Sequence, residues 1–352
     1  MINIIKETQA LSLARTPDRI SGLVAVHNGV FHADDVFFVA VLTLVSPSLQ
    51  IVRTRNPKIV EFAQIVGDVG GVHDAGQNRY DHHQRGGAGC RSNGVPYASF
   101  GLLWSHTGWT GDLVGAVLRV GTQWGQYSAI ARLVDESLVQ AVDASDCGMV
   151  DTAVPGSVET VPRYSISAAI SAFNPSWSEA DQDFDAAFAR AVEFAQMVLR
   201  RAVVGAAGQV EAKTVVMDAL AQVRPDDAII VLNRFAPWQD TILAAKSGDR
   251  IKLVVFPSET GDWRVQAVPD APGSFGMRLA LPKAWAGLSG AELAAAVRAS
   301  GGSIGDAEAV FCHIGRFIGG ATTFEGAMQM ARAALPKIAE VAMDLTDLRE
   351  RA

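Results

Sequence analysis

Two short stretches in the first quarter of the chain concentrate imidazoles and carboxylates. They are His27-Asn28-Gly29-Val30-Phe31-His32-Ala33-Asp34-Asp35 and Tyr80-Asp81-His82-His83-Gln84. Five of the seven histidines lie between positions 27 and 83. Between the clusters, Asp68 ends the apolar run Ile65-Val66-Gly67. Imidazole and carboxylate together form a ligand set suited to Mn²⁺ and similar divalent ions. The clustering points to a metal-dependent hydrolase.

Each group also has a plainer reading. His27, His32 and Asp34 share a pocket only if the chain folds back on itself there; otherwise Asp34 or Asp35 is a helix N-cap and the histidines are loop residues. Neighbouring side chains on extended backbone point to opposite sides. His82 can therefore bind metal while His83 reaches substrate only if the segment turns; a surface turn is the alternative. Asp68, beside Gly67 and Gly70-Gly71, has two oxygens with which to bridge two ions, or it is a turn aspartate. Asp143 and Asp146 are spaced to share a helical face, and either one could complete a metal shell. His73, Asp74 and His106 read as structural. Structural zinc recruits cysteine, and neither cluster contains one.

The elements that must position these groups follow from the apolar pattern. Leu23–Val26, Leu49–Arg53 and Gln64–Gly67 read as strands, and Asp34–Val45 as a buried helix. Short buried strands alternating with helices predict an α/β fold with a mostly parallel sheet. Sites in such sheets lie beyond the C-terminal strand ends. His27, Asp68 and the Asp81-His82-His83 run all follow strand-like segments, so one sheet edge would gather them. Further on, helices are expected over 97–106, over 130–147 with a stop at Gly148, and over 181–201. Gly205 and Gly208 break that pattern before a last helix to about 222. Arg224-Pro225 marks a boundary between domains at 1–222 and 223–352. In the second domain, strands at 228–232, 251–256 and 263–268 and helices at 291–299 and 323–335 predict a smaller α+β unit. Gly319-Gly320, after Arg316, reads as a turn at a helix N-terminus that offers N–H groups to an anion.

Composition sets outer limits. Apolar residues make up 49% and charged residues 19%, which describes a folded globular chain. The net charge of −7 gives no global field to attract duplex nucleic acid. Three scattered cysteines, Cys90, Cys147 and Cys312, form no disulfide framework and no Cys-x-x-Cys site. With no signal-like N-terminus and no membrane-length apolar run, a cytoplasmic location is expected.

At these residues the chain resembles the melanocyte-proliferating-gene exonuclease family, a branch of the DHH phosphoesterase superfamily. The matching stretches are His27–Asp34, Val52-Arg53-Thr54-Arg55, Asp68-Val69-Gly70-Gly71 and Arg79–Arg85. Others are Val142–Gly148, Phe173–Trp177, Trp263–Gln266, Pro282–Leu288, and Phe317–Gly320 with Glu325–Ala327. The resemblance implies a DHH-type catalytic domain, a smaller substrate-binding domain, and an active-site cleft between them. It implies two divalent ions, usually Mn²⁺, with Mg²⁺ or Co²⁺ as substitutes. By position, one ion would take His27, Asp34 and part of Asp68, and the other Asp68 and His82. His32 would be a further ligand, as would Asp143 or Asp146. His83 would contact the scissile phosphate. The chain departs from the family pattern at Asp146-Cys147-Gly148, where Asp-Asn-Gly is expected, and at Ala321, where a polar or basic residue is common.

The reaction this predicts is two-metal hydrolysis of a phosphodiester, with ions about 3.5–4 Å apart. Arg85 and Arg316 would clamp phosphate. The expected enzyme resembles a 3′–5′ exoribonuclease acting on single-stranded RNA or a short oligonucleotide, with no membrane partner. The oligomeric state is left open, a homodimer included. Rival readings are a small-nucleotide phosphatase or pyrophosphatase, and a non-catalytic metal or nucleotide sensor.

Overall fold

The computed structural model describes residues 2–13, 20–119, 124–149 and 164–336. The chain divides into two compact units, residues 1–210 and 211–352.

The first unit is built on a six-stranded sheet. Its strands are β1 (Asn3–Ile4), β2 (Ile20–Val26), β3 (Gln50–Arg53), β4 (Ala63–Gly67), β5 (His73–Asp74) and β6 (Arg79–Tyr80), in the order β1-β3-β2-β4-β6-β5. All neighbours run parallel except β5 and β6. This is the mostly parallel α/β sheet that the apolar runs predict. After β2 the chain crosses through the helix Ala33–Val45 to β3 on one side, then through Pro57–Phe62 to β4 on the other. That reversal of direction opens a crevice at the C-terminal ends of β2 and β4. The register pairs Gly67 with Tyr80, which sets Asp68 beside Asp81.

The helix Ala33–Val45 is buried from Ala33 to Leu44. A helix apolar on all sides has no water-facing stripe and must be enclosed. Phe37 stacks on Phe100, with ring centroids 5.2 Å apart. Phe38 lies so close to β4 that a Cβ on Gly67 would sit 2.4 Å from its ring. Gly67 is therefore glycine because the helix and the sheet touch there, directly behind Asp68.

The helix Phe184–Gln222 runs unbroken for 39 residues. The expected interruption at Gly205 and Gly208 does not occur. A helical glycine costs only about 1 kcal/mol relative to alanine. Leu199 and Val203 before the glycines, and Val216 and Leu220 after them, are buried and outweigh that cost. The division between units falls inside this helix, ahead of the boundary expected at 222/223.

The second unit holds a five-stranded sheet in the order β10-β11-β9-β8-β7. Its strands are β7 (Ile229–Val231), β8 (Leu253–Pro257), β9 (Trp263–Ala267), β10 (Ala309–Cys312) and β11 (Ile318–Ala321). Only β7 and β8 pair in parallel. Trp285, Leu293, Val297 and Met330 fill its core. The reading of Gly319-Gly320 as a helix N-terminal turn is corrected here, because both glycines lie in β11, hydrogen-bonded to β9 and β10. A Cβ on Gly320 would lie 2.8 Å from the Arg264 guanidinium, and one on Gly319 3.1 Å from Met330. The glycines serve close packing. The next helix, Phe324–Ala334, is capped by Thr323, whose hydroxyl accepts from the Gly326 N–H.

Two glycines should respond in opposite directions to alanine. Gly67→Ala should lower stability by about 1–3 kcal/mol through overpacking against Phe38. Gly205→Ala, with nothing within 4 Å of its Cβ position, should raise it by about 0.5–1 kcal/mol. Urea midpoints of the two variants check this. A Gly67→Ala protein as stable as the parent would contradict the contact.

Candidate metal centre

The loop leaving β2 is held from both sides. Arg53, buried at the end of β3, donates to the Gly29 carbonyl at 2.6 Å and lies over the Phe188 ring, 4.6 Å from its centroid. Asn174 accepts from the Phe31 N–H at 3.0 Å and donates to its carbonyl at 2.9 Å. Arg55 donates to the Asn28 side chain at 2.7 Å and lies 3.3 Å from His27 Nδ1. His27 Nδ1 is also 3.2 Å from the Asn28 carbonyl. The chain turns back at His32, whose N–H donates to Asp35 Oδ1 at 2.9 Å in the first turn of the helix.

Adjacent aspartates at the start of that helix part company. Asp34 accepts from the Ser99 and Phe100 N–H groups at 2.9 and 2.7 Å. Asp35 places Oδ2 3.2 Å from His27 Nε2. Both carboxyls are fully buried, and burial pushes both up: Asp34 well above the ordinary range and Asp35 to about 7.

Asp68 is the hub. Its backbone is left-handed, at φ 54°, a conformation aspartate tolerates better than most residues. Oδ2 lies 3.2 Å from His27 Nε2. Oδ1 lies 3.3 Å from His82 Nε2 and 3.4 Å from His83 Nδ1. The two oxygens thus face different histidines. Burial alone would raise this carboxyl, but hydrogen bonding and charge from His27 and His82 hold it down at about 2.

The segment after β6 does turn, as a shared role for its two histidines requires. The His82 and His83 rings lie 4.3 Å apart, and both approach Asp68 Oδ1. Asp81 is buried, accepts from the Gly71 N–H, and binds His83 Nδ1 at 2.7 Å. His83 itself is exposed.

Asp143 and Asp146 have separate places. Asp143 lies 2.7 Å from the Arg91 guanidinium and accepts from the Gly101 N–H at 3.0 Å. Burial pushes its carboxyl up to about 7 against the pull of Arg91. Asp146 lies 3.1 Å from His82 Nε2 and 3.7 Å from His32 Nδ1. Burial works against a charge on His82, yet Asp146, Asp68 and Asp34 raise its pKa to about 11.

Among the described residues three overlapping sets of side chains could each hold an ion: His27, His32 and Asp68; Asp34, His82 and Asp146; and Asp68, Asp81, His82 and His83. Asp34 thus stands with His82, where the positional assignment puts it with His27. Several buried atoms here lack an aligned hydrogen bond, namely Asp35 Oδ2, Asp68 Oδ1 and His82 Nε2. Such atoms are rare in native proteins unless something satisfies them. A divalent cation fits this donor set of imidazole nitrogens and carboxylate oxygens. A cleft of 310 Å³ opens over it, lined by His27, His32, Arg55, Asp68, Asp81 and His83 among others.

Other residues named from the sequence lie elsewhere. Arg85 is exposed two residues beyond His83. Arg316 belongs to the second unit, at φ 59°, where it donates to the Leu281 carbonyl at 3.3 Å. Asp35, Arg55 and Asp81 join the site, though the sequence reading gives none of them a metal or substrate role. The signal for Asp35 and Asp81 was a doubled acid in a helix start and an acid directly before two histidines. His106, read as structural, contacts the Tyr80 hydroxyl.

The fold and the cluster together define a metal-binding α/β protein with its site at the carboxyl edge of a parallel sheet. A family profile, MYG1_exonuc, described as an uncharacterised protein family (UPF0160), matches residues 23–335. Over 334 residues the chain is 35% identical to the MYG1 exonuclease of Homo sapiens, covering 89% of this chain and 85% of that protein. It is 32% identical over 337 residues to a MYG1 protein of Saccharomyces cerevisiae, covering 90% and 96%. The chain belongs to the MYG1 exonuclease family. The crystal structure of RecJ from Thermus thermophilus in complex with Mn²⁺ aligns with 93% of this chain at 16% identity and a TM-score of 0.22. The chain spans about half of that protein, 55%.

Metal binding here should release protons, since ligating nitrogens must be bare. His82, held up at about 11, carries its proton at pH 7 and must give it up from Nε2. Calorimetric titration of metal-stripped protein with Mn²⁺ in buffers of differing ionisation enthalpy should show about one proton or more released per chain. Binding with no proton release would contradict this site.

Proposed function

We propose that the chain is a divalent-metal-dependent phosphodiesterase that shortens single-stranded RNA or short oligonucleotides from an end. The observation that carries this reading is the divided carboxylate of Asp68, with one oxygen facing His27 and the other facing His82. That arrangement suits two cations sharing one bridging ligand. His27, His32 and Asp68 would hold one, and Asp34, Asp68, His82 and Asp146 the other. Cations held by these residues would supply water activation and Lewis-acid polarisation of the phosphoryl group. Mn²⁺ is the proposed occupant, from the mixed nitrogen and oxygen donors.

The chain's own residues do the rest. His83, held through Nδ1 by Asp81, lines the cleft and is proposed to contact the scissile phosphate. Arg55, on the cleft wall, adds a fixed positive charge for the same phosphate. Arg85 and Arg316 are proposed to meet phosphates further along the strand. The human relative's name as an exonuclease supports hydrolysis at a chain end. Three free cysteines suit a reducing cytoplasm. A second reading, a phosphatase or pyrophosphatase of small nucleotides, is favoured by the modest 310 Å³ of the cleft, at the small end for a ligand site.

The test is cleavage of 5′-labelled single-stranded RNA by metal-stripped protein with Mn²⁺ restored. Stepwise shortening is expected, lost in Asp68→Ala. Wild-type rates in Asp68→Ala would remove the assignment, and cleavage of mononucleotides alone would favour the second reading.

Asp143 and Asp146 should separate in the same assay. Asp146→Asn should slow cleavage at least about 100-fold, the scale of losing one electrostatic stabiliser. Asp143→Asn should instead lower stability by about 1–3 kcal/mol, through a weakened bond to Arg91, and leave Mn²⁺ affinity nearly intact. The reverse pattern would exchange their roles.

A further inference from the structure

We infer that Cys147 is a positioning residue, whose thiol holds the proton of His82 on Nδ1 so that Nε2 is presented to metal. The inference rests on the two-cation reading above. His82 uses its two nitrogens on opposite sides. Nε2 faces Asp68 and Asp146 at 3.3 and 3.1 Å. Nδ1 lies 3.8 Å from Cys147 Sγ, and among the described residues no other hydrogen-bond partner meets it. The same sulfur lies 3.9 Å from the Tyr97 carbonyl.

This pair of contacts has one consistent proton arrangement. A carbonyl can only accept, so the thiol S–H donates to Tyr97. The sulfur lone pairs then accept from Nδ1–H of His82. A metal-binding imidazole works best when its other nitrogen keeps its proton and donates it to a fixed acceptor. Here the acceptor is a thiol, a weak one, which makes rigid placement important.

The placement is rigid. Cys147 closes the helix Gln140–Asp146, and its N–H donates to the Asp143 carbonyl at 2.9 Å. Gly148, at φ 73°, donates to Ser145 at 3.2 Å, and Met149 donates to Ala144 at 2.8 Å. Those two bonds form a Schellman cap, which fixes the end of a helix. One helix end thus delivers a ligand, Asp146, and the group that orients another ligand, His82, on consecutive residues.

The test compares the wild type with Cys147→Ala and Cys147→Ser. Mn²⁺ affinity is read by calorimetry on metal-stripped protein. The His82 tautomer is read by ¹⁵N-histidine NMR with Zn²⁺ as the diamagnetic probe. The wild type should show a proton on Nδ1 and metal on Nε2. Cys147→Ala should bind Mn²⁺ about tenfold more weakly and lose the single tautomer, and Cys147→Ser, which keeps a donor and an acceptor, should restore both. Wild-type affinity together with an unchanged tautomer in Cys147→Ala would overturn the inference. So would a proton on Nε2 in the wild type, whatever the variants do. If the wild type binds no Mn²⁺ at all, the two-cation reading falls first and the role of Cys147 with it.

Discussion

The first unit is organised around a concentration of buried acids that need cations. Asp34, Asp35, Asp68 and Asp81 are all buried, and Asp146 stands against them through His82. Two like charges about 4 Å apart cost about 4 kcal/mol at an effective dielectric of about 20. Part of that cost is offset by the proton that burial favours on Asp34 and Asp35 and by the pairing of Asp68 with His27 and His82. Bound divalent ions would offset the remainder and satisfy the buried atoms without aligned partners. A cluster so unfavourable for stability alone is explained by what it binds.

The sheet exists in the form that this cluster needs. Parallel strands place all their carboxyl ends at one edge, and the reversal after β3 leaves β2 and β4 side by side there. His27 and Asp68 come from those two strand ends, and His82 from the end of the next strand, β6. The apolar helix Ala33–Val45 packs behind them so closely that Gly67 cannot carry a side chain. Its first turn supplies Asp34 and Asp35. The opening of a second helix, Ser99–Ser105, then holds Asp34 through two N–H groups. The core and the site are therefore one construction.

Much of this is written locally in the chain. An apolar run ending in a polar residue marks each of β2 and β4, so His27 and Asp68 could be placed at strand ends from pattern alone. The stop of the helix at Gly148 is legible because glycine readily takes the left-handed conformation that ends a helix. What stayed hidden depends on distant partners. Asp143 and Asp146 look equivalent at their spacing, and only Arg91, more than 50 positions away, absorbs the first and leaves the second to His82. Asp34 and Asp35 differ because Ser99 and Phe100 claim one of them. Gly319-Gly320 resembles a turn because its reason for being glycine, the approach of Arg264, Phe311 and Met330, comes from other elements. The glycines at 205 and 208 carry a local penalty that tertiary burial overrides.

In the proposed two-cation site Asp68 would be shared between one cation at His27 and one at His82. The most direct measurement is anomalous diffraction from crystals of the protein grown with Mn²⁺. The account predicts two anomalous peaks about 3.5–4 Å apart, each within bonding distance of a different Asp68 oxygen. A single peak that touches neither oxygen, or peaks only at surface carboxylates, would contradict it.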